Sequence, residues 1–379
     1  MNIVIAMDSL KGSLSSLEAG EAIRTAAEAC GFSATVLPMA DGGEGTADAL
    51  VSGLGGHWQS VEVTGPLGAP VTARYGILPQ EHLAVIEMAA AAGLPLVPKD
   101  RRDPRRTTTY GLGQMILDAW DRGCRSFLIG IGGSATNDGG LGMLTALGYR
   151  FLDETGRPAG IYGGDVASVR AIDDSGVHPA VRQGTFNIAC DVTNPLCGPN
   201  GASAIFGPQK GATPAIVVEL DTALLAYSRL AAQFFGQDLS TLPGAGAAGG
   251  LGFAFAAFLH ANLQPGAELV IEATGLEQAL SRADLVVTGE GRLDGQSAMG
   301  KTPCAIAAQA KRHGLPVIAF AGSVTADAAA CHDAGIDAYF PIVRGPITLD
   351  EAMDPDTARA GLTGAAEEVF RLLRRFGRT

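Results

Sequence analysis

The stretch "NIVIAMDSLKGS", residues 2–13, decides the fold expected for this chain. Residues 2–7 form a short apolar run typical of a strand buried on both faces in a parallel sheet. Asp8 stands at the end of that strand, and Lys11 adjoins Gly12 in the polar loop that follows. Open α/β sheets bind ligands beyond the carboxyl ends of their strands. The loop is therefore a candidate site.

Four further short runs have the same apolar character. They read "ATVLPMA" (34–40), "DLVVTGE" (284–290), "PVIAFAG" (316–322) and "AYFPIV" (338–343). Because these strands lie near the two ends of the chain, one sheet interrupted by an insertion is the economical arrangement. We expect an α/β fold with two domains. Residues 1–60 and 283–379 would form a doubly wound parallel sheet, and residues 61–282 an inserted mixed α/β domain.

Inside the insertion the predicted strands are shorter and more varied. They read "SVEV" (60–63), "VTARYGIL" (71–78), "LAVIEMA" (83–89), "SFLIGI" (126–131), "FNIACDV" (186–192), "SAIFG" (203–207) and "LVIEA" (269–273). A long helix is predicted to begin at Pro214, with Thr213 as its N-cap.

Composition restricts the classes of function. The 379 residues carry a formal net charge of −12, so nucleic acid is not an expected partner. Six cysteines lie far apart without metal-ligand spacing, as in a reduced cytosolic protein. The N-terminus lacks the pattern of a signal peptide, and no apolar stretch is long enough to span a bilayer. We expect a cytoplasmic protein without a membrane partner.

A glycine-rich loop, "GIGGSATNDGG" (130–140), follows a predicted strand. Gly130 to Ala135 fits a dinucleotide fingerprint, and Asp153 follows about twenty residues later. Asn137-Asp138-Gly139 is a turn signal, whereas a nucleotide-binding helix would begin inside the glycine motif. An NAD-dependent hydroxy-acid dehydrogenase is therefore the alternative rather than the favoured interpretation.

A second glycine motif, "GQSAMGKT" (295–302), matches the phosphate-loop pattern completely. The residues "GRLD" separate it from the preceding strand, which disfavours a P-loop fold. Lysine placement still indicates phosphate, because three of the five lysines adjoin a glycine in a predicted loop. These are Lys11, Lys210 and Lys301. A compact ammonium beside bare backbone amides suits a polyphosphate.

Carboxylates at the ends of apolar runs could complete a phosphoryl-transfer site. They are Asp8, Asp41, Asp138, Asp191, Glu290 and Asp294. Such chemistry needs Mg²⁺ ligands and a group that accepts the hydroxyl proton. The histidines fall outside these loops, so a carboxylate is the expected base. A carbohydrate-acid binding protein without catalysis is a third class left open.

Seven motifs together resemble the bacterial glycerate kinases, which phosphorylate D-glycerate with ATP. They are "DSLKGSLSS" (8–16), "ADGGEGT" (40–46), "GIGGSATNDGG" (130–140), "CDVTNPLCGPNGAS" (190–203), "FGPQKGAT" (206–213), "GAGAAGGLG" (244–252) and "TGEGRLDGQS" (288–297) with Gly300-Lys301. The resemblance implies a flavodoxin-like domain split by an insert that resembles restriction endonucleases, with the active site in the cleft between them. Thr302 departs from the family pattern, which makes the phosphate-loop match incidental.

The resemblance and the loop chemistry together suggest roles for the candidate residues. Lys11, with Ser9 and the amides of Gly12 and Ser13, would bind phosphate or the substrate carboxylate. Asp191 is the expected general base, with Asp8, Asp41 and Asp294 as alternatives. Asp41 and Asp138 are the expected Mg²⁺ ligands. The remaining candidates for substrate or phosphate binding are Gly132, Gly133, Ser134, Asn137, Lys210, Glu290, Asp294 and Lys301.

ATP and D-glycerate are the expected small-molecule partners, and a homodimer is compatible with the sequence. By resemblance the 2-hydroxyl of glycerate is the favoured acceptor, with the 3-hydroxyl as the alternative.

Overall fold

The structure is a computed structural model that describes residues 1–43 and 45–376. Residue 44 of the motif "ADGGEGT" and residues 377–379 of the first predicted domain lie outside the described residues. The chain forms two compact units. Unit 1 comprises Met1–Asp41, Asp48–Gly55 and Ala267–Thr379, and unit 2 comprises Gly42–Ala47 and Gly56–Gly266.

The strands are numbered in chain order. They are β1 (Asn2–Met7), β2 (Ser33–Pro38), β3 (His57–Thr64), β4 (Pro70–Leu78), β5 (Leu83–Glu87), β6 (Ser126–Gly130), β7 (Arg150–Leu152), β8 (Ala171–Asp173), β9 (Thr185–Ala189), β10 (Asn262–Gln264), β11 (Leu285–Leu293), β12 (Val317–Val324) and β13 (Ala338–Pro341).

The α-helices are numbered in the same way. They are α1 (Ser16–Ala29), α2 (Thr46–Gly53), α3 (Ala89–Ala92), α4 (Tyr110–Asp121), α5 (Leu141–Ala146), α6 (Pro179–Gln183), α7 (Ala202–Phe206), α8 (Pro214–Phe235), α9 (Ala247–Leu259), α10 (Gly266–Thr274), α11 (Leu276–Leu280), α12 (Thr302–Arg312), α13 (Ala330–Asp333), α14 (Leu349–Met353) and α15 (Pro355–Phe376).

Unit 1 contains a parallel sheet in the order β2-β1-β11-β12-β13. Each of the five runs predicted as parallel strands lies in it. Its core includes Ile5, Val287 and Phe320, with Ile23 of α1 and Phe370 of α15 packed into the same cluster. A capping box fixes the start of α1, where Ser15 accepts from the amide of residue 18.

The register of β1 against β11 positions the candidate site of unit 1. Met7 pairs with Gly289, so Asp8 and Glu290 follow directly on adjacent strands. Asp8 also donates its backbone N–H to the carbonyl of Gly289 at 2.9 Å. Because parallel strands end at the same edge, the two acidic side chains start from one edge of the sheet.

Unit 2 contains a six-stranded mixed sheet in the order β3-β4-β5-β6-β9-β10. The β3-β4 and β4-β5 pairs are antiparallel, and the remaining pairs are parallel. Phe127 and Phe186 stack with ring centroids 4.8 Å apart in the core beside this sheet. The predicted helix after Thr213 is confirmed as α8, and the Thr213 side chain accepts from the amide of Ile216.

Two predicted strands are wrong, because "SAIFG" lies in α7 and "LVIEA" lies in α10. In α10 the apolar residues form the buried side of one helix, and Leu269, Val270 and Ile271 each have at most 3% of their surface exposed. A short apolar run does not separate a buried strand from a buried helix by periodicity. The chain passes between the two units at residues 41–42, 47–48, 55–56 and 266–267, whereas the sequence suggested domain boundaries at 60–61 and 282–283.

In the part of the chain that the structure describes, no helix is long and apolar enough to cross a membrane.

Candidate active site

Asp8 is the most buried acid at the carboxyl edge of the unit 1 sheet, with 5% of its surface exposed. Its Oδ1 accepts the backbone N–H of Ser9 at 2.6 Å. Burial, followed by the negative charge of Asp41, raises the pKa of Asp8 from 3.8 to about 6. The carboxyl group of Asp8 is therefore about half protonated near pH 6.

Lys11 lies in the loop that follows β1, close to Asp8 and Asp41. Its Nζ is 2.8 Å from Oδ2 of Asp41, and two thirds of its side chain is exposed. Burial lowers the pKa of Lys11, but the hydrogen bond and charge of Asp41, together with Asp8 and Glu290, outweigh that effect and raise it overall. The ammonium group is therefore fully charged at physiological pH.

The backbone of this loop differs from the expected anion cradle. Ser13 donates both its N–H and its hydroxyl to the carbonyl of Leu10, at 2.8 and 3.0 Å. The N–H of Ser9 is taken by the Asp8 carboxylate. These donors hold the turn itself, so Lys11 and the φ +86° residue Gly12 remain the parts of the loop suited to a ligand.

A second group of candidates comes from β11, which carries Glu290, and from the segment after it, which carries Asp294 and Lys301. Asp294 Oδ1 accepts the amides of Gln296 and Ser297 at 3.0 and 3.2 Å. Lys301 Nζ lies 3.8 Å from the same carboxylate. Ser297 donates its hydroxyl to Glu290. Asp294 thus orders the loop through these contacts.

Glu290 is partly buried among these groups. Burial raises its pKa, although the Ser297 hydroxyl and the charge of Lys301 oppose the effect. A single cavity of about 860 Å³ in unit 1 is lined by Asp8, Lys11, Asp41, Glu290 and Lys301. Asp294 lines the same cavity, so the structure brings together six of the candidate acidic and basic groups at one edge of the sheet.

Unit 2 has its own smaller cavity of about 320 Å³. Its lining includes Gly132, Gly133, Ser134, Asp191 and Lys210. Asp191 follows β9 and accepts the backbone N–H of Gly266 at 2.9 Å. The cavity combines an acid, a lysine and a glycine loop.

Lys210 is buried in this cavity, with only 2% of its surface exposed. Its Nζ donates to Oγ of Ser134 at 2.7 Å and to the carbonyl of Thr136 at 2.6 Å. Burial lowers its pKa to about 7, although the negative charge of Asp138 opposes the shift. Lys210 thus fastens the glycine loop and can change charge near neutral pH.

Asp138 was expected to bind Mg²⁺, but its side chain is buried in the protein instead. It is fully buried, and its Oδ2 accepts the amide and hydroxyl of Thr109 at 2.8 and 2.7 Å. Its two oxygens also accept the amides of Gly140 and Gly142. The carboxylate anchors the loop from inside, because its hydrogen bonds are made to the protein core.

Asn137 is also buried and donates from Nδ2 to Oγ of Ser203 at 2.9 Å. Asn137 was expected to bind substrate, but like Asp138 it makes its side-chain contact inside the protein. The end of the glycine loop is therefore structural, whereas residues 132–134 line the cavity.

Several residues of these sites carried no signal that the sequence analysis used. Thr109 lies 29 residues before the acid it binds, and Ser297 is an ordinary serine in a glycine motif. Most of the apolar lining of the larger cavity comes from residues 342–361, of which only the first two belong to a predicted strand. The sequence signal for this lining was the mixture of large apolar and charged residues in "VRGPITLDEAM" (343–353).

The residues in the unit 1 cavity fit Mg²⁺ bound with phosphate. Among the described residues, no group of three or more His, Cys, Asp or Glu side chains could hold a metal alone. Mg²⁺ usually takes one or two carboxylates and completes its shell with phosphate oxygens and water. Burial and the negative charge of Asp41 raise the pKa of Asp8, and a bound cation would offset the cost of ionising this carboxyl group.

Comparisons with known proteins agree with this chemistry. The model of the glycerate kinase family matches residues 3–374. A glycerate kinase of Halalkalibacterium halodurans is 49% identical over 358 residues, and the glycerate 2-kinase of Escherichia coli K12 is 48% identical over 354 residues. Each alignment covers 93% of both chains.

A solved structure extends the likeness to three dimensions. The crystal structure of a candidate glycerate kinase 2 from Salmonella typhimurium LT2 matches with a TM-score of 0.92 and 46% identity, over 100% of both chains. The resemblance that the seven motifs suggested is confirmed, and the dehydrogenase alternative loses its support. The chain belongs to the glycerate kinase family, whose members are kinases that phosphorylate an alcohol group.

Proposed function

We propose that this protein transfers the γ-phosphoryl group of ATP to the 2-hydroxyl of D-glycerate, giving 2-phosphoglycerate and ADP. The match of the glycerate kinase family model to residues 3–374 carries the proposal. The Escherichia coli relative named a glycerate 2-kinase supports the choice of hydroxyl. The expected cytoplasmic location and position of the active site between the two domains stay predictions.

In the proposed reaction, the glycerate oxygen forms a bond to the γ-phosphorus while the bond to the β-phosphate oxygen breaks. Asp191 accepts the proton that the hydroxyl loses, and ADP leaves with the bridging oxygen. Lys11 and Lys301 hold phosphate oxygens, and their charges offset the negative charge of the phosphoryl group during transfer. Lys210, with residues 132–134, orients the glycerate carboxylate.

Mg²⁺, when bound, would neutralise charge on the phosphate oxygens. Asp41 is the proposed ligand, and Asp8 and Glu290 are the neighbouring carboxylates that fit beside it. Lys11 must then exchange its contact with Asp41 for one with phosphate, which its exposed side chain permits.

We also propose that unit 1 is flavodoxin-like and that unit 2 is its restriction-endonuclease-like insert. Numbered within unit 1, the strand order is 2-1-3-4-5, which is the flavodoxin order. Such sheets bind ligands where the order reverses, and in this unit that point lies at β1 and β11. Asp8 directly follows β1, and Glu290 lies in β11 one residue beyond the Met7–Gly289 pair.

The activity is tested by incubating the purified protein with Mg-ATP and D-glycerate and following ADP release. Phosphorus NMR then identifies the product. The phosphorus of 2-phosphoglycerate couples to a single carbon-bound proton, whereas that of 3-phosphoglycerate couples to a CH₂ pair. ADP release that does not depend on D-glycerate would contradict the proposal, and a phosphorus signal split by a CH₂ pair would move the reaction to the 3-hydroxyl.

The proton acceptor is tested separately with Asp191→Asn. We expect kcat to fall by roughly 10² to 10⁴ fold, the usual contribution of a general base, with a smaller change in KM. Asp238→Asn, an exposed acid of unit 2, is the matched control. Nearly full kcat in Asp191→Asn would move the role to Asp8, Asp41 or Asp294.

A further inference from the structure

A cluster of large apolar side chains is exposed after β13. Val343, Ile347, Leu349 and Met353 have 37%, 43%, 75% and 37% of their surfaces exposed. All four line the 860 Å³ cavity of unit 1. We call residues 343–353 the apolar wall. Exposed apolar surface concentrated in one cavity is typical of a ligand-binding site.

The apolar wall is built on ordered backbone. Thr348 accepts the amide of Glu351 through its side chain, and the Glu351 carboxylate accepts the amide and hydroxyl of Thr348 at 2.8 and 2.9 Å. This capping box fixes α14, and Asp354 accepts the amide of Thr357 at the start of α15. The apolar side chains are therefore presented in a defined arrangement before any ligand binds.

The other end of the same cavity, which joins the apolar wall directly, carries three cationic side chains beside the acidic ones, and we call it the cationic end. Lys11, Arg292 and Lys301 line that end, with 67%, 65% and 43% of their side chains exposed. A methyl group added to Gly12 would lie 2.4 Å from Cε of Met353, so the loop of Lys11 touches the wall. The cavity thus has a largely apolar end, where Arg344 is also a lining residue, and a cationic end.

We infer that this cavity is the nucleotide subsite, with the adenine ring of ATP against the apolar wall and its phosphates toward Lys11 and Lys301. The acidic lining residues all belong to the end that holds the lysines, where Mg²⁺ and phosphate would meet them. The volume of about 860 Å³ is in the range of sites that enclose a ligand of this size. The inference deepens the proposed function and rests on it for the identity of the nucleotide.

The experiment compares two probes of the same cavity by calorimetry, without glycerate. ADP reaches both ends, whereas inorganic tripolyphosphate has no base and reaches only the cationic end. The test variant is Leu349→Ala with Met353→Ala, and the control is Leu372→Ala, an exposed leucine of α15 that does not line the cavity. A third variant, Lys301→Ala, removes charge from the cationic end.

The wall variant should bind ADP roughly tenfold more weakly, since it loses several apolar carbons of contact, while its affinity for tripolyphosphate is unchanged. Lys301→Ala should weaken both probes, and Leu372→Ala neither. Equal ADP affinity in the wall variant and the wild type would overturn the inference, as would no ADP binding by the wild type. ADP binding that depends on the wall, without phosphorylation of glycerate, would instead refute only the proposed function.

Discussion

Asp8→Asn should make the protein more stable above pH 6. In the folded chain the pKa of Asp8 is about 6, because burial and the charge of Asp41 disfavour its ionised form. In the unfolded chain it returns to about 3.8. Between these values the folded state binds more protons, so the free energy of unfolding falls as pH rises through this window. Asparagine removes the charge and keeps an oxygen that can accept the Ser9 amide.

The magnitude follows from the difference between the two pKa values. It corresponds to about 3 kcal/mol at pH 8, which is an upper value for a residue 5% exposed. About half of it is expected at pH 5, where the folded-state carboxyl is still mostly protonated. For a unit of this size, 3 kcal/mol corresponds to a rise in Tm of roughly 6 to 12 °C.

The assay is urea unfolding of the wild type and Asp8→Asn at pH 5 and pH 8, with a chelator and without nucleotide. Asp333→Asn, an exposed acid of α13, should match the wild type at both pH values. Asp8→Asn should also lose kinase activity. Buried carboxylates that destabilise a folded protein are commonly kept because the active site needs their charge. A variant no more stable than the wild type at pH 8, or equally stabilised at both pH values, would refute the reasoning.

Three further predictions concern single residues. Lys11→Ala should lower kcat/KM by at least about 100-fold without changing Tm, because its exposed ammonium contributes to binding rather than folding; a lowered Tm would contradict this. In the wild type, the free energy of unfolding should rise by up to about 2 kcal/mol between pH 7 and 9, because the pKa of Lys210 is lower in the folded than in the unfolded chain. Urea unfolding of Lys210→Met should show no such rise. Gly140→Ala should lower stability by about 1 to 3 kcal/mol more than Gly156→Ala: both have positive φ, but only the first new Cβ meets an atom, Ala254 Cβ at 2.3 Å. Equal urea midpoints for those two variants would argue against the clash.

The strands of unit 1 could be predicted because a parallel sheet buries both faces, which leaves continuous apolar runs in the sequence. The convergence of Asp8, Asp41 and Glu290 follows from the same fact, since β1, β2 and β11 run parallel and bring these residues to the same edge of the sheet. Helix α10 could not be separated from a strand on this basis. Its apolar run is only five residues long, and either structure would bury it.

The role of Asp138 could not be predicted from the residues around it. An aspartate beside two glycines is equally suited to a metal, a turn or a buried anchor, because each uses the same carboxylate oxygens. Burial and the two hydrogen bonds from Thr109 decide between them. Both depend on how α4 packs against α5, which is a long-range contact that the loop itself does not encode.

The three lysines beside glycines show the same limit for charge. The sequence groups Lys11, Lys210 and Lys301 as equivalent phosphate ligands, yet their surroundings give them different chemistry. Lys11 is exposed beside carboxylates that raise its pKa, so it stays charged throughout the physiological range. Lys210 is buried, and its pKa falls to about 7. A glycine neighbour indicates that a lysine can approach a ligand, but the water and acids around its ammonium determine whether it brings a charge.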